Sequence, residues 1–241
     1  MHHEMYKYSH GSLACEGFVA RLAGSPQPTP VVVICHAWGG RDTFAQEQAE
    51  RMARLGYIGF AADIYGNHAT ATEREACAAL MNPLMSDRAL LRDRLRATVS
   101  AAQRIPGADG RRVVVMGFCF GGLCALDCAR GGFEGVVGVA SFHGLLTPPV
   151  HPSIPPQQPI TAKALVMHGY DDPMAKPDAL RAFCTEFTAA DASWEVDAYG
   201  HTMHAFTNPQ ANDAAFGTLF DATANARSFA RLESFLRECF A

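Results

Sequence analysis

The sequence predicts an α/β fold, with a mainly parallel central sheet covered by helices on both faces. Three observations carry this expectation. Short unbroken apolar runs recur along the chain, as strands buried on both faces require. Segments with helical apolar spacing alternate with those runs, the rhythm of a parallel sheet with crossover helices. The length of 241 residues suits one such unit, and a chain this long buries a core without disulfide or metal staples. Residues 1–241 are therefore expected to form a single domain.

The elements follow in order. Val31–Cys35 is a short apolar run, expected as a buried strand. Asp42–Leu55 carries Ala45, Ala49, Met52 and Ala53 at helical spacing. Ile58–Ala62 is a second buried strand. Ser86–Ala102 places Leu90, Leu91, Leu95 and Val99 on one stripe and is expected to be helical. Arg112–Met116 is again a strand, Phe120–Arg130 a helix and Gly135–Phe142 a strand. Ala164–His168 and Ser193–Ala198 are the last two strands. Between them Pro177 opens a helix at a favoured first-turn position. Arg227–Cys239 closes the chain with an amphipathic helix. The Pro-rich stretches Ser25–Pro30 and Thr147–Pro159 are expected to be surface loops.

Composition excludes several classes of function. Hydrophobic residues make up 49% of the chain and charged residues 18%, an ordinary globular balance. The formal charge is −4 and the pI near 6.2, which gives neither a basic footprint for nucleic acid nor an acidic tail. No run is long and apolar enough to span a bilayer. Met1–Lys7 lacks the apolar core of a secretory signal, so a cytoplasmic protein with no membrane partner is expected. The eight cysteines contain no C-x-x-C pair and no zinc-ligand spacing. In a reducing cytosol most are expected to be buried free thiols.

Cys119 is the exception. The apolar run Val113–Met116 enters Gly117-Phe118-Cys119-Phe120-Gly121-Gly122 and then a helix. A strand, a sharp glycine-bracketed turn and a helix form the setting of a nucleophile elbow. Gly117 and Gly121 keep side chains out of a crowded turn. A thiol at a helix N-terminus is favoured as thiolate, and the Phe120 N–H is placed to stabilise an oxyanion. The plainer alternative is a structural cysteine in a glycine-rich turn.

Open sheets of this kind gather chemistry beyond the carboxyl ends of their strands. Asp171 and Asp172 follow the run Ala164–His168, and either is able to orient a histidine or cap a turn. His201 and His204 lie in the loop after Ser193–Ala198. The order nucleophile, Asp, His is that of α/β hydrolases. His201 and His204 as a metal pair lack a third ligand of suitable spacing. His143 and His168 follow strands and are expected beside the site; His2, His3, His10, His68 and His151 are expected in loops or at the surface.

At these residues the chain resembles the dienelactone hydrolase family, which has the α/β-hydrolase fold. The family's G-x-C-x-G-G matches Gly117 to Gly122. Its H-G-x-x-D-P segment matches His168-Gly169-Tyr170-Asp171-Asp172-Pro173, and its H-A-F-T-N-P segment matches His204-Ala205-Phe206-Thr207-Asn208-Pro209. Gly56-Tyr57 and Asp63-Ile64-Tyr65-Gly66 resemble a further stretch. The resemblance thus implies Asp172 and His204, rather than Asp171 and His201, as partners of Cys119. It also implies that the Ala37 N–H completes the oxyanion hole.

Two departures accompany it. In Cys35-His36-Ala37-Trp38-Gly39-Gly40, His36 stands where the family's activating Glu is expected. An imidazole there is expected within reach of Cys119 and, as a donor to sulfur, to favour thiolate; the plainer alternative is that His36 packs beside Trp38 or bonds a loop carbonyl. Asn208 replaces an arginine that holds the lactone carboxylate, and neither Arg74 nor Arg88 aligns with the second such arginine. The expected activity is therefore hydrolysis of a small ester or lactone through a Cys-His-Asp triad and an acyl-enzyme. No metal or organic cofactor is called for. Trp38, Phe120 and Phe206 are candidate pocket walls or plain core. A non-catalytic ligand-binding or thiol-sensing protein on the same fold is the other reading.

Overall fold

The apolar runs become strands whose alternate residues enter two separate cores. The structure, a computed structural model, describes residues 1–149 and 159–241. In chain order the elements are β1 (His2–His10), β2 (Leu13–Arg21), β3 (Thr29–Cys35), α1 (Thr43–Arg54), β4 (Ile58–Ala61), α2 (Arg74–Ser86), α3 (Arg88–Gln103), β5 (Ala108–Phe118), α4 (Phe120–Arg130), β6 (Val136–Phe142), β7 (Lys163–Gly169), α5 (Pro177–Ala189), β8 (Trp194–Tyr199), β9 (Asn212–Asp213), β10 (Thr218–Leu219) and α6 (Ala222–Phe240). Val31, Val33 and Cys35 of β3 face Leu91, Leu95 and Val99 of α3 and the buried side of α4. Val32 and Ile34 face Ala45, Ala49 and Met52 of α1, with Phe229, Leu232 and Leu236 of α6 in the same layer. Each fully buried Leu, Ile or Phe here contributes about 1.5–3 kcal/mol.

The sheet has eight strands in the order β1-β2-β4-β3-β5-β6-β7-β8. From β3 to β8 all neighbours are parallel, while β2 pairs antiparallel with β4 and with β1. The chain leaves β3 to one side for β4 and returns across it to β5. The order therefore reverses between β3 and β5, where Cys35 pairs with Gly117. A crevice at such a reversal is where open α/β sheets bind ligands. Among the described residues, no helix is long and apolar enough to cross a membrane.

Several elements depart from the sequence expectation. The β1–β2 hairpin is absent from it, because β1 is an edge strand with few aliphatics and no unbroken apolar run. Its signal is period two: Tyr6 and Tyr8 point inward onto Phe60. His2 and His3 are at the surface as expected, but in a strand, as is the half-buried His10. The helix expected from Ser86 begins at Arg88, capped by Asp87, whose carboxylate accepts from the Leu90 N–H at 2.9 Å. Before it lies α2, unforeseen because Pro83 interrupts its pattern and no side chain caps its start. α6 starts earlier than Arg227, at a cap supplied by Asp221. Most of the Thr147–Pro159 stretch, with His151, lies outside the described residues.

Candidate active site

Cys119 sits between the end of β5 and the first turn of α4 with φ 56° and ψ −117°. A non-glycine residue with this backbone stores about 1–3 kcal/mol of strain, so its surroundings must hold it. They do: its N–H donates to Phe142 O at 3.0 Å, and its carbonyl accepts from the Gly122 N–H at 3.0 Å. The flanking glycines are needed for close approach. A Cβ on Gly117 would stand 2.2 Å from Gly121 O, and one on Gly121 would stand 2.0 Å from Cys35 O.

His204 is held from both sides by the short β9–β10 ribbon. Its N–H donates to Gly217 O at 3.0 Å, and its carbonyl accepts from the Leu219 N–H at 3.0 Å. Its ring Nδ1 donates to Asp172 Oδ2 at 2.7 Å, and both side chains are buried. Asp172 Oδ1 accepts from the Met174 N–H at 2.8 Å, which fixes the carboxylate in the turn after β7. The hydrogen bond at Nδ1 leaves Nε2 as the ring nitrogen toward Cys119, and it makes no other hydrogen bond among the described residues. Asp171 and His201 lie outside this arrangement: both are exposed, 3.8 Å apart. One exposed and one buried histidine do not make a metal pair.

Electrostatics couple the sulfur to the imidazole. Burial alone would raise the Cys119 pKa. The His204 charge and the N–H groups of Phe120 and Trp38 act against it, and the net direction is downward. Burial alone would lower the His204 pKa. The Cys119 thiolate and the Asp172 carboxylate outweigh it and push the value up to about 10. The other seven cysteines are all shifted upward, chiefly by burial.

Beside the Phe120 N–H, the Trp38 N–H also acts on the sulfur, in the same turn as the Ala37 N–H expected for the oxyanion hole. The Ala37 carbonyl closes a tight turn by accepting from the Gly40 N–H at 3.2 Å, and the turn carries the next N–H to the sulfur. His36 does not donate to Cys119. Its Nδ1 donates to Ala37 O at 2.7 Å and its Nε2 accepts from the Ile64 N–H at 3.3 Å. Both nitrogens are thereby occupied, and burial holds the ring neutral. Of the two roles left open for Phe206, the structure shows core: it is fully buried, edge-on to His143 and Tyr199. Phe120 is likewise core, stacked on Tyr65, whereas Trp38 is only half-buried.

His143 and His168, expected beside the site, both lie near His204. His143 follows β6 with its ring edge-to-face with His204, centroids 5.0 Å apart. Its Nε2 is 2.8 Å from Thr207 Oγ1, and burial keeps it neutral. His168, at the end of β7, is buried with neither ring nitrogen bonded among the described residues. Thr207 and Gly217 carried no signal beyond their place in the loop after β8.

The sheet order and the strand–elbow–helix carrying Cys119 define an α/β hydrolase. The chain belongs to the dienelactone hydrolase family, whose family model matches residues 17–240. It is similar to the dienelactone hydrolase-like promiscuous phosphotriesterase P91 from metagenomic libraries. That structure superposes with a TM-score of 0.91 at 31% identity, covering 99% of this chain and 98% of the other. The structure of m3DLH gives a TM-score of 0.91 at 30% identity, over 100% and 99% of the two chains. An uncharacterized Caenorhabditis elegans protein is 38% identical over 152 residues, 63% of this chain and 95% of its own.

Proposed function

We propose that Cys119, His204 and Asp172 act as a Cys-His-Asp triad that hydrolyses a small, activated ester or lactone. The observation that carries this reading is the buried 2.7 Å contact between His204 and Asp172, which leaves Nε2 free beside a cysteine of lowered pKa. The Cys119 thiolate attacks the carbonyl carbon, and the electron pair moves onto the carbonyl oxygen. The N–H groups of Phe120 and Ala37 receive that developing charge, with the Trp38 N–H acting on the sulfur in the same turn. Collapse of the adduct breaks the bond to the alkoxide, which takes the Nε2 proton from His204. A water then gives its proton back to Nε2 as its oxygen attacks the thioester. Thiolate and imidazolium are regenerated as the acid leaves. Asp172 fixes the ring tautomer and stabilises the imidazolium.

Hydrolysis of p-nitrophenyl acetate by the wild type and by Cys119→Ala tests this. The wild type is expected to turn over and the variant to fall to the background rate. Equal rates would assign the chemistry elsewhere. The phosphotriesterase named among the similar structures supports a second substrate class, in which the same thiolate attacks phosphorus. An activated phosphotriester assayed with the same pair of proteins tests it. A reducing, cytoplasmic setting fits eight free thiols.

A further inference from the structure

Trp38 and Phe216 stack on one another with ring centroids 6.1 Å apart and planes 21° from parallel. Each ring is tied to one half of the chemistry. Trp38 supplies the N–H that faces Cys119, and Phe216 precedes Gly217, whose carbonyl holds the His204 N–H. The pair thus links the loop beside the nucleophile to the loop carrying the base.

The surroundings hold the pair in place. Tyr65 donates its hydroxyl to Trp38 O at 2.9 Å, and the Ala71 N–H donates to Gly39 O at 2.9 Å. That second bond pins the segment leading to Arg74 against the Trp38 loop. The Arg74 guanidinium lies over the Phe216 ring, 4.2 Å from its centroid. Asp213 pairs with Arg74 and also accepts from the Phe216 N–H at 3.0 Å. Phe216 and Trp38 are nevertheless only partly buried, so aromatic surface remains open.

Both arginines weighed for a substrate carboxylate, Arg74 and Arg88, are already paired. Arg74 is neutralised by Asp213 and faces the ring. Arg88 is buried in a two-pronged contact with Asp127, with donor–acceptor distances of 2.9 and 2.7 Å. Neither guanidinium offers a free fork to a substrate carboxylate.

We propose that Trp38 and Phe216 form the specificity wall of the site, and that it selects esters or lactones with an uncharged, planar apolar arm. This rests on the hydrolase reading of the site and adds to it the chemistry of the substrate. The arm lies against the two rings while the carbonyl reaches Cys119. An anionic arm finds Arg74 already paired with Asp213 and loses water on entering.

Binding without turnover tests the proposal. Trp194→Phe leaves Trp38 as the sole tryptophan, because the chain has two. Its fluorescence is titrated with phenylacetamide, acetamide and succinamate, unreactive mimics with aromatic, minimal and anionic arms. Phenylacetamide is expected to half-saturate at roughly tenfold lower concentration than acetamide, the scale of an added aromatic contact. Succinamate is expected to bind no better than acetamide. Phe216→Ala should reduce the aromatic preference to about twofold or less. Equal responses to the two neutral amides would overturn the proposal, as would a preference that survives Phe216→Ala. So would tightest binding of succinamate that disappears in Arg74→Gln. Ester hydrolysis is measured separately on the wild type. No hydrolysis with the aromatic preference intact removes the triad and keeps the wall; hydrolysis without the preference does the reverse.

Discussion

Replacing Asp172 by Asn changes one atom at the centre of the proposed mechanism. Asp172 Oδ1 accepts from the Met174 N–H at 2.8 Å, and the Asn carbonyl oxygen retains that bond. The Asn amide nitrogen then faces His204 Nδ1, where Asp172 Oδ2 stood at 2.7 Å. Two donors cannot share that contact, so the ring takes the other tautomer and its proton moves to Nε2. A neutral ring protonated at Nε2 cannot accept the thiol or water proton. Loss of the buried charge-assisted bond is worth about 1.5–3 kcal/mol, or roughly one to two orders of magnitude in rate. Loss of base function adds a comparable factor, so kcat/KM is expected to fall by about three to four orders of magnitude. The assay is steady-state hydrolysis of p-nitrophenyl acetate, with far-UV circular dichroism to show that the fold is retained. Asp171→Asn is the control, since Asp171 is exposed beside His201; it should change the rate by less than about twofold. A loss below tenfold for Asp172→Asn, or a larger loss for Asp171→Asn, would refute the reasoning.

Further predictions follow from the same geometry. The charged His204 ring should persist until pH rises through about 10, because its pKa is raised from 6.5. Its contribution to stability is thus complete below 6.5 and lost across that interval. The pH profile of kcat/KM should fall on the alkaline side near 10, and on the acid side below the ordinary thiol value of 9.0, where lowered Cys119 titrates. A wild-type alkaline limb that lies near 6.5 would contradict the coupling. Limiting iodoacetamide at neutral pH should label Cys119 before the other seven cysteines, which peptide mapping by mass spectrometry reads directly. His36→Ala should leave the thiolate absorbance titration nearly unchanged while lowering urea stability by about 1–3 kcal/mol, because it strands the Ile64 N–H in the core. A large shift in thiol pKa would restore His36 as a donor to the sulfur.

The fold was legible where the physics is local. Val31–Cys35 and Arg112–Met116 announce buried strands because both of their faces are apolar, and Gly117 and Gly121 announce the elbow because nothing larger fits. Asp172 and His204 are distinguished from their neighbours Asp171 and His201 by motif alone; the 2.7 Å contact arises from packing between β7 and the β9–β10 ribbon. The oxyanion loop is less legible: its geometry depends on a turn closed by Gly40 N–H to Ala37 O, and no side chain records that the Trp38 N–H then acts on the sulfur. For His36 the sequence leaves two roles open, a donor to the sulfur or a bond to a loop carbonyl, because its partners, Ala37 O and Ile64 N–H, are backbone groups, one of them far along the chain. The Trp38–Phe216 stack joins residues from two distant loops and has no sequence period at all.

Trapping the acyl-enzyme tests the central claim most directly. The protein is mixed with p-nitrophenyl acetate, quenched in acid within the first turnovers and digested for mass spectrometry. The triad account predicts one acetyl group per chain, on the peptide containing Cys119, released by hydroxylamine as a thioester and accumulating in step with a burst of p-nitrophenolate. An acetyl group on another residue, accompanied by full turnover in Cys119→Ala, would contradict it.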